Sequence, residues 1–393
     1  MKAAYIPVGA GGHIISSLPM VRELVSKGVE VDYYAPESFR EQIELTGARH
    51  CVFPEVTECY SNPYMAKEEF LAVIPLVFLG QAKEALDTIM AGLEQNRPDF
   101  IIADALALAG RLAAWKLKLP IVFFFSTYMP CKAFSIYRTW PQYPNSPARE
   151  AAAQMAEAFQ KEYGGKLLTP EEIFEGTGDL NICTLTRDFQ PAGDTFGEEA
   201  FFAGAQIAPR AGDDSWTPPE NGRPLLYTSF GSLFNYWPEF YRMLFPIVKD
   251  LEINVLCSVG RRITMEELGE IPENVTVMPF TPQLEVLKHA DYFITHAGTG
   301  GVMEAMYHGV PCLCIPQMEE QVFTAHRLME LGGASGVLDR KTLTPEALRE
   351  AILKLIADEP CRQKAAVIAQ SMRRDGGCER AAQAVIDFVA KRV

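Results

Sequence analysis

No CxxC pair occurs among the nine cysteines, which removes the zinc-knuckle and thioredoxin-type readings. Cys312 and Cys314 alternate along an apolar run, so both thiols share one strand face, and reduced core cysteines are expected. No apolar run approaches the ~18 residues of a membrane span. The most apolar stretch, Phe70 to Leu79, is short and is broken by Pro75. The opening residues, MKAAYIPVGAGGH, lack the apolar core of a secretory signal, so a cytoplasmic protein is expected. Positive charge is scarce. The 36 basic residues stand against 50 acidic ones, and a net charge of −14 opposes attraction to nucleic acid or an anionic membrane. Carboxylates spaced as in a metal site are also missing, because Asp213 and Asp214 lie in a linker-like stretch. Neither a metal nor an organic cofactor is expected.

What is present is enough apolar residue for two cores. At 393 residues, 48% hydrophobic and 22% charged, the chain exceeds one typical domain of roughly 150 residues. Short apolar runs alternate with helical patterns twice along it. In the first half the strands are Lys2 to Val8, Glu30 to Ala35, Phe100 to Ala103, Ile121 to Phe125, Leu180 to Thr184 and Phe201 to Gly204. Cys51 to Gly80 interrupts them with aromatics and prolines and shows no clear period. After the Pro-, Gly- and Asp-rich segment from Gln206, alternation restarts at Leu225 and continues through Ile253 to Val259, Val275 to Met278, Tyr292 to Thr295 and Pro311 to Ile315. Two doubly wound α/β domains are expected: residues 1–205, a linker over 206–223, a second domain over 224–376, and a last helix over 377–393.

The most informative stretch is Pro279 to Gln321, PFTPQLEVLKHADYFITHAGTGGVMEAMYHGVPCLCIPQMEEQ. An apolar strand ends at His296, passes through a glycine-rich turn and enters a helix near Val302. Such a turn aims backbone N–H groups and the positive end of a helix dipole at one point, where a phosphate or diphosphate can sit. Gly298, Gly300 and Gly301 permit close backbone approach there.

This pattern resembles the nucleotide-sugar signature of the inverting UDP-glycosyltransferase superfamily, glycosyltransferase family 1, and especially its bacterial macrolide-glycosyltransferase branch. The resemblance implies a GT-B fold, with two Rossmann-like domains facing across a cleft and the final helix, 377–393, packing back on the first domain. It further implies that Phe280 flanks the base of the donor and Gln283 contacts its nucleoside. His296 with Gly298, Gly300 and Gly301 would hold the diphosphate, Glu304 the ribose hydroxyls, and Glu320 with Gln321 the sugar hydroxyls. Gly12 and Ser232, the latter in the turn Ser229 to Ser232, would add donor contacts. Many members carry Asn-Ser where this chain has Gly300-Gly301, so the contact of a serine hydroxyl is either missing or replaced, with backbone N–H groups as the expected substitute.

The turn GAGGH after the first strand resembles the Gly-His element of the same superfamily, whose histidine is the general base. Read from the residues, His13 falls in the loop between strand and helix, with Ser16 and Ser17 as candidate caps and Pro19 in the first helical turn. Asp104, at the end of the strand Phe100 to Ala103, resembles the partner carboxylate that orients the histidine; a cap of the next helix is the alternative. Tyr64, Phe78, Tyr128, Phe134, Tyr137 and Trp140 are candidate walls of an acceptor pocket, although core packing explains such aromatics equally well. The expected activity is metal-independent, inverting transfer of a hexose from UDP-glucose to a hydroxyl of an apolar small molecule such as a macrolide, polyketide or phenol. The alternatives are a dTDP-deoxysugar transferase, a lipid-linked N-acetylglucosaminyl transferase, a nucleotide-sugar epimerase or a non-catalytic nucleotide-sugar-binding protein. The sequence does not assign the oligomeric state.

Overall fold

The structure, a computed structural model, describes residues 1–53, 67–210, 216–231 and 235–392, with residues 67–70 and 375 by their backbone alone. It divides into two compact units, Met1–Gln206 with Gly376–Val393, and Ile207–Asp375.

The first unit opens with β1 (Lys2–Ile6), α1 (Gly11–Ser26), β2 (Glu30–Ala35), α2 (Arg40–Glu44) and β3 (Arg49–Val52). It continues through α3 (Lys67–Gln95), β4 (Phe100–Asp104), α4 (Leu108–Leu117) and β5 (Ile121–Phe125). Then come α5 (Pro147–Tyr163), α6 (Pro170–Glu175), β6 (Leu180–Cys183) and β7 (Ala200–Phe202). The strands form one parallel sheet in the order β3-β2-β1-β4-β5-β6-β7. Helices cover both faces, which is why β4 and β5 read as unbroken apolar runs: every residue in them is buried. Helix starts follow local chemistry. Ser146 caps α5 and Thr169 caps α6, each with proline at the first helical position, where a missing N–H costs nothing.

One expectation needs correcting here. The stretch from Cys51 to Gly80, irregular by its pattern, contains the first half of α3, a helix of 29 residues with Pro75 inside it. A proline within a helix costs about 3 kcal/mol. Burial of Ile74, Phe78, Leu79, Leu86, Ile89 and Leu93 along the helix outweighs that, at roughly 1.5–3 kcal/mol per large side chain. Tertiary packing on α4 and α5 therefore overrides the local signal.

The second unit runs β8 (Leu225–Ser229), α7 (Pro238–Val248), β9 (Asn254–Ser258), α8 (Met265–Leu268), β10 (Val275–Met278) and α9 (Gln283–His289). It goes on with β11 (Tyr292–Thr295), α10 (Thr299–His308), β12 (Cys312–Cys314), α11 (Glu319–Glu330), β13 (Ala334–Val337), α12 (Pro345–Ala357) and α13 (Glu359–Asp375). Its sheet is also parallel, in the order β10-β9-β8-β11-β12-β13. The final helix, α14 (Gly377–Ala390), belongs to the first unit. It packs on α1, and Ala381, Ala382, Val385 and Val389 join Met20, Val21 and Leu24 in one core, all fully buried.

Both sheets reverse their winding at one place. In the first the reversal lies between β1 and β4, and in the second between β8 and β11. The carboxyl ends of such strand pairs leave a crevice in which ligands bind. Among the described residues, no helix is long and apolar enough to cross a membrane.

Candidate functional site

In the first unit the reversal brings together side chains from three adjacent strands. His13 follows β1, Asp104 ends β4, and Ser126 directly follows β5. His13 Nδ1 lies 2.7 Å from Asp104 Oδ2, with the carboxylate 2% and the imidazole 26% exposed. Asp104 Oδ1 accepts a hydrogen bond from Leu106 N at 2.9 Å. One carboxylate oxygen thus meets the histidine and the other the turn that leads into α4, but Asp104 does not cap that helix, whose N-cap is Ala107 with no side-chain hydrogen bond. An ionised carboxylate only accepts, so Nδ1 carries the proton and Nε2 is the basic nitrogen. Ser126 Oγ lies 3.0 Å from the same Nδ1. Sequence reasoning passed over Ser126, although its place just beyond a strand end was a usable signal.

The start of α1 differs from expectation. The helix begins at Gly11 with Ala10 as an extended N-cap, so His13 sits in its first turn rather than in a loop, and Pro19 is interior. Ser16 and Ser17 do not cap. Their hydroxyls donate back to His13 O at 2.9 Å and Ile14 O at 2.8 Å, a bond that serine makes inside a helix. Gly12 is exposed in the same first turn, and a Cβ there would meet nothing within 4 Å.

The aromatic candidates form packed groups. Tyr137 is buried, stacks on Phe174 at 4.7 Å and accepts a hydrogen bond from Arg149 at 2.9 Å. Trp140 and Phe78 meet the same Phe174 edge-on at 5.4 and 5.9 Å. Trp140 is only partly covered, and its Nε1 has no hydrogen-bond partner. Tyr128 is buried between Phe134 and Phe189. Tyr64 lies outside the described residues, and so does Ser232.

In the second unit β11 delivers His296 to the sheet edge, and α10 begins at Thr299 with Gly298 as an extended N-cap. Gly300 and Gly301 therefore lie in the first turn of α10, where backbone N–H groups have no intrahelical acceptor. The left-handed residue of the turn is Ala297, at φ 62°, rather than a glycine. Gly298 and Gly231 matter for space, since a Cβ at either would come within 2.7 Å of the His296 ring. Held between them, the imidazole loses hydration. Burial pushes its pKa down to about 4, with a backbone hydrogen bond at Ser229 opposing, so at neutral pH it is an uncharged donor or acceptor and no cation. Its Nδ1 is buried without a hydrogen-bond partner.

Glu304, eight residues along, is 8% exposed. Gln283 Nε2 donates to Glu304 Oε2 at 2.7 Å, and Arg210 donates to Oε1 at 2.6 Å. Tyr227 OH donates in turn to Gln283 Oε1 at 3.2 Å. Gln283 and Glu304 are thus one hydrogen-bonded unit. Arg210, in the connecting segment, had no sequence signal. Phe280 precedes this unit with 67% of its surface exposed, a large aromatic face turned to solvent. Glu320 and Gln321 sit in the first turn of α11, where Gln321 Oε1 accepts from Gln317 N at 2.8 Å.

Comparison with known proteins accords with this architecture. Residues 243–388 match the family described as erythromycin biosynthesis protein CIII-like, C-terminal domain. The NDP-glycosyltransferase YjiC of Bacillus subtilis (strain 168) is 34% identical over 391 residues, 98% of this chain and 97% of that one. The oleandomycin glycosyltransferase of Streptomyces antibioticus is 29% identical over 97% of this chain and 89% of its own. Among solved structures, the calicheamicin glycosyltransferase CalG4 superposes with a TM-score of 0.87 at 28% identity, covering 99% of this chain and 98% of that one. With its two parallel Rossmann-like sheets and full-length likeness to such enzymes, the chain belongs to glycosyltransferase family 1, the UDP-glycosyltransferase superfamily, in the branch of macrolide and natural-product glycosyltransferases.

Proposed function

We propose that the protein transfers a hexose, glucose, from UDP-glucose to a hydroxyl of an apolar small molecule such as a macrolide, polyketide or phenol, with inversion and without a metal ion. The observation that carries this reading is the 2.7 Å contact between His13 Nδ1 and the buried Asp104 carboxylate. A hydroxyl is a poor nucleophile until its proton has an acceptor. His13 Nε2 takes that proton while the hydroxyl oxygen bonds to the anomeric carbon, and the bond from that carbon to the diphosphate breaks with its electron pair leaving on UDP. Attack from the face opposite the leaving group inverts the centre. Asp104 stabilises the imidazolium that forms.

In this reading the second domain holds the donor. Phe280 covers the base, Gln283 and Glu304 take the nucleoside, and Gly298, Gly300, Gly301, Ser232 and a neutral His296 take the diphosphate, with Gly12 a further candidate for donor contact. Glu320 and Gln321 bond hydroxyls of the sugar, which favours glucose, because a site built for hydroxyls penalises their absence. Tyr64, Phe78, Tyr128, Phe134, Tyr137 and Trp140 shape the acceptor pocket, and the name of the oleandomycin enzyme accords with an apolar acceptor. Mass-spectrometric screening of UDP-glucose and dTDP-sugars against macrolide and phenol acceptors tests all of this. A glucoside of β configuration from the α-linked donor is expected. Turnover confined to dTDP-deoxysugars would overturn the donor assignment, and nucleotide-sugar binding with no transfer to any acceptor would point to a binding protein.

A further inference from the structure

His13 Nδ1 faces two oxygens rather than one. Asp104 Oδ2 stands at 2.7 Å and Ser126 Oγ at 3.0 Å, each supplied by a neighbouring strand, β4 and β5. Nδ1 carries a single hydrogen, so the bond is three-centred. A single hydrogen bond leaves an imidazole able to pivot about the axis of that bond. A second acceptor on another strand restricts the pivot and fixes the direction in which Nε2 points.

We propose that Ser126 is a positioning residue for this reaction, a third member that locks the ring of His13 between β4 and β5 and shares its Nδ1 proton with Asp104. The inference rests on His13 being the base. Ser126 lies half-buried at the strand edge, where β5 has just ended at Phe125 and the backbone turns away. The registers of β1 on β4 and of β4 on β5 carry all three groups to the same edge of the sheet. The hydroxyl has two roles. It narrows the orientations of the base, which affects turnover and leaves donor binding alone. It also accepts from a donor that becomes charged during the reaction, and hydrogen bonds to ionised groups are about twice as strong as neutral ones. Without it the imidazolium is less stabilised, and the histidine gives up its proton at lower pH.

The test compares wild type with Ser126→Ala, Ser126→Thr and His13→Ala in steady-state transfer to a phenol acceptor across the pH range, with UDP-glucose binding measured by calorimetry. Ser126→Ala is expected to lose roughly 3- to 10-fold in kcat, the worth of one hydrogen bond. Its donor affinity should not change, and the acid limb of its kcat/KM profile should move to lower pH. Ser126→Thr, which keeps the hydroxyl, should return the acid limb to its wild-type position. An inactive His13→Ala beside a Ser126→Ala of unaltered kcat and acid limb would overturn the assignment of Ser126 while leaving the base in place. An acid limb that shifts equally in the threonine variant would overturn it as well, because the hydroxyl would not be the cause. An active His13→Ala would instead remove the base reading on which the proposal stands.

Discussion

Asp104→Asn offers the sharpest perturbation of the candidate base, because the structure dictates how the new amide must lie. Asp104 Oδ1 accepts Leu106 N–H at 2.9 Å, so the asparagine oxygen has to stay on that side. Its NH2 group then faces His13 Nδ1, where Asp104 Oδ2 stands at 2.7 Å. Two donors cannot share that contact, so Nδ1 becomes the acceptor and the proton moves to Nε2, the nitrogen required as base. Restoring the reactive tautomer would oppose two N–H groups at a site 2% exposed, and a buried donor without an acceptor costs about 1–3 kcal/mol. The attraction of the carboxylate for the imidazolium is also lost, at most about 4 kcal/mol for charges near 4 Å at an effective dielectric constant of 20. The combined expectation is a large loss of kcat that stays below the roughly 10²–10⁴-fold of losing the positioned base in His13→Ala, with UDP-sugar affinity intact. Steady-state transfer and calorimetry on the same preparation measure both. Thiol acceptors, which ionise on their own, should lose less. A well-folded Asp104→Asn whose kcat lies within about threefold of wild type would refute the tautomer reasoning.

The pH response of the second domain should carry the signature of His296. As pH falls from about 6.5 towards 4 the unfolded chain binds a proton that the folded imidazole refuses, so stability is present above that window and lost within it, by at most about 3 kcal/mol. Urea titrations of His296→Gln should lack this slope relative to wild type, and an unchanged slope would contradict the neutral imidazole. Gly301→Val is expected to fold normally, since a Cβ there meets only Gln283 Nε2, at an ordinary 3.5 Å, yet to weaken UDP binding about tenfold or more by crowding the first turn of α10. Wild-type UDP affinity in that variant would take Gly301 out of the phosphate site. For the aromatic cluster, Tyr137→Ala should cost about 3–5 kcal/mol in thermal or chemical unfolding through its lost stacking on Phe174, while Trp140→Phe should alter acceptor preference with little loss of stability. Unaltered acceptor preference in Trp140→Phe would assign that cluster to the core.

The doubly wound class was legible because parallel strands covered on both faces are written as uninterrupted apolar runs. Ile121–Phe125 and Tyr292–Thr295 are buried throughout, and their sequences announce it. What escaped depended on packing at a distance. The helix across Pro75 is held by contacts to α4 and α5 that no local window contains. β3, with only four residues and two of them exposed, is too short to show a period. At the candidate site, types and spacing drew attention to His13, Asp104, Gln283 and Glu304. The facts that Asp104 divides its oxygens between a side chain and a backbone, and that Glu304 holds both Gln283 and Arg210, belong to geometry alone. Ser126 shows the middle case: its place after β5 could be read, its partner could not.

The return of α14 to the first domain has a consequence for the order in which the chain acquires its structure during synthesis. Residues 1–206 emerge from the ribosome first, yet the core they build includes Ala381, Ala382, Val385 and Val389. Until those residues appear, α1 is packed against β2, but the surface it gives to α14 stays open. Translation of the intervening stretch takes ~10–40 s at 5–20 residues per second. Residues 207–375, a self-contained unit by comparison, can close as soon as they are made. The half of the protein that is made first is therefore finished last, and through that interval it presents an open hydrophobic seam to chaperones, proteases and its own nascent neighbours.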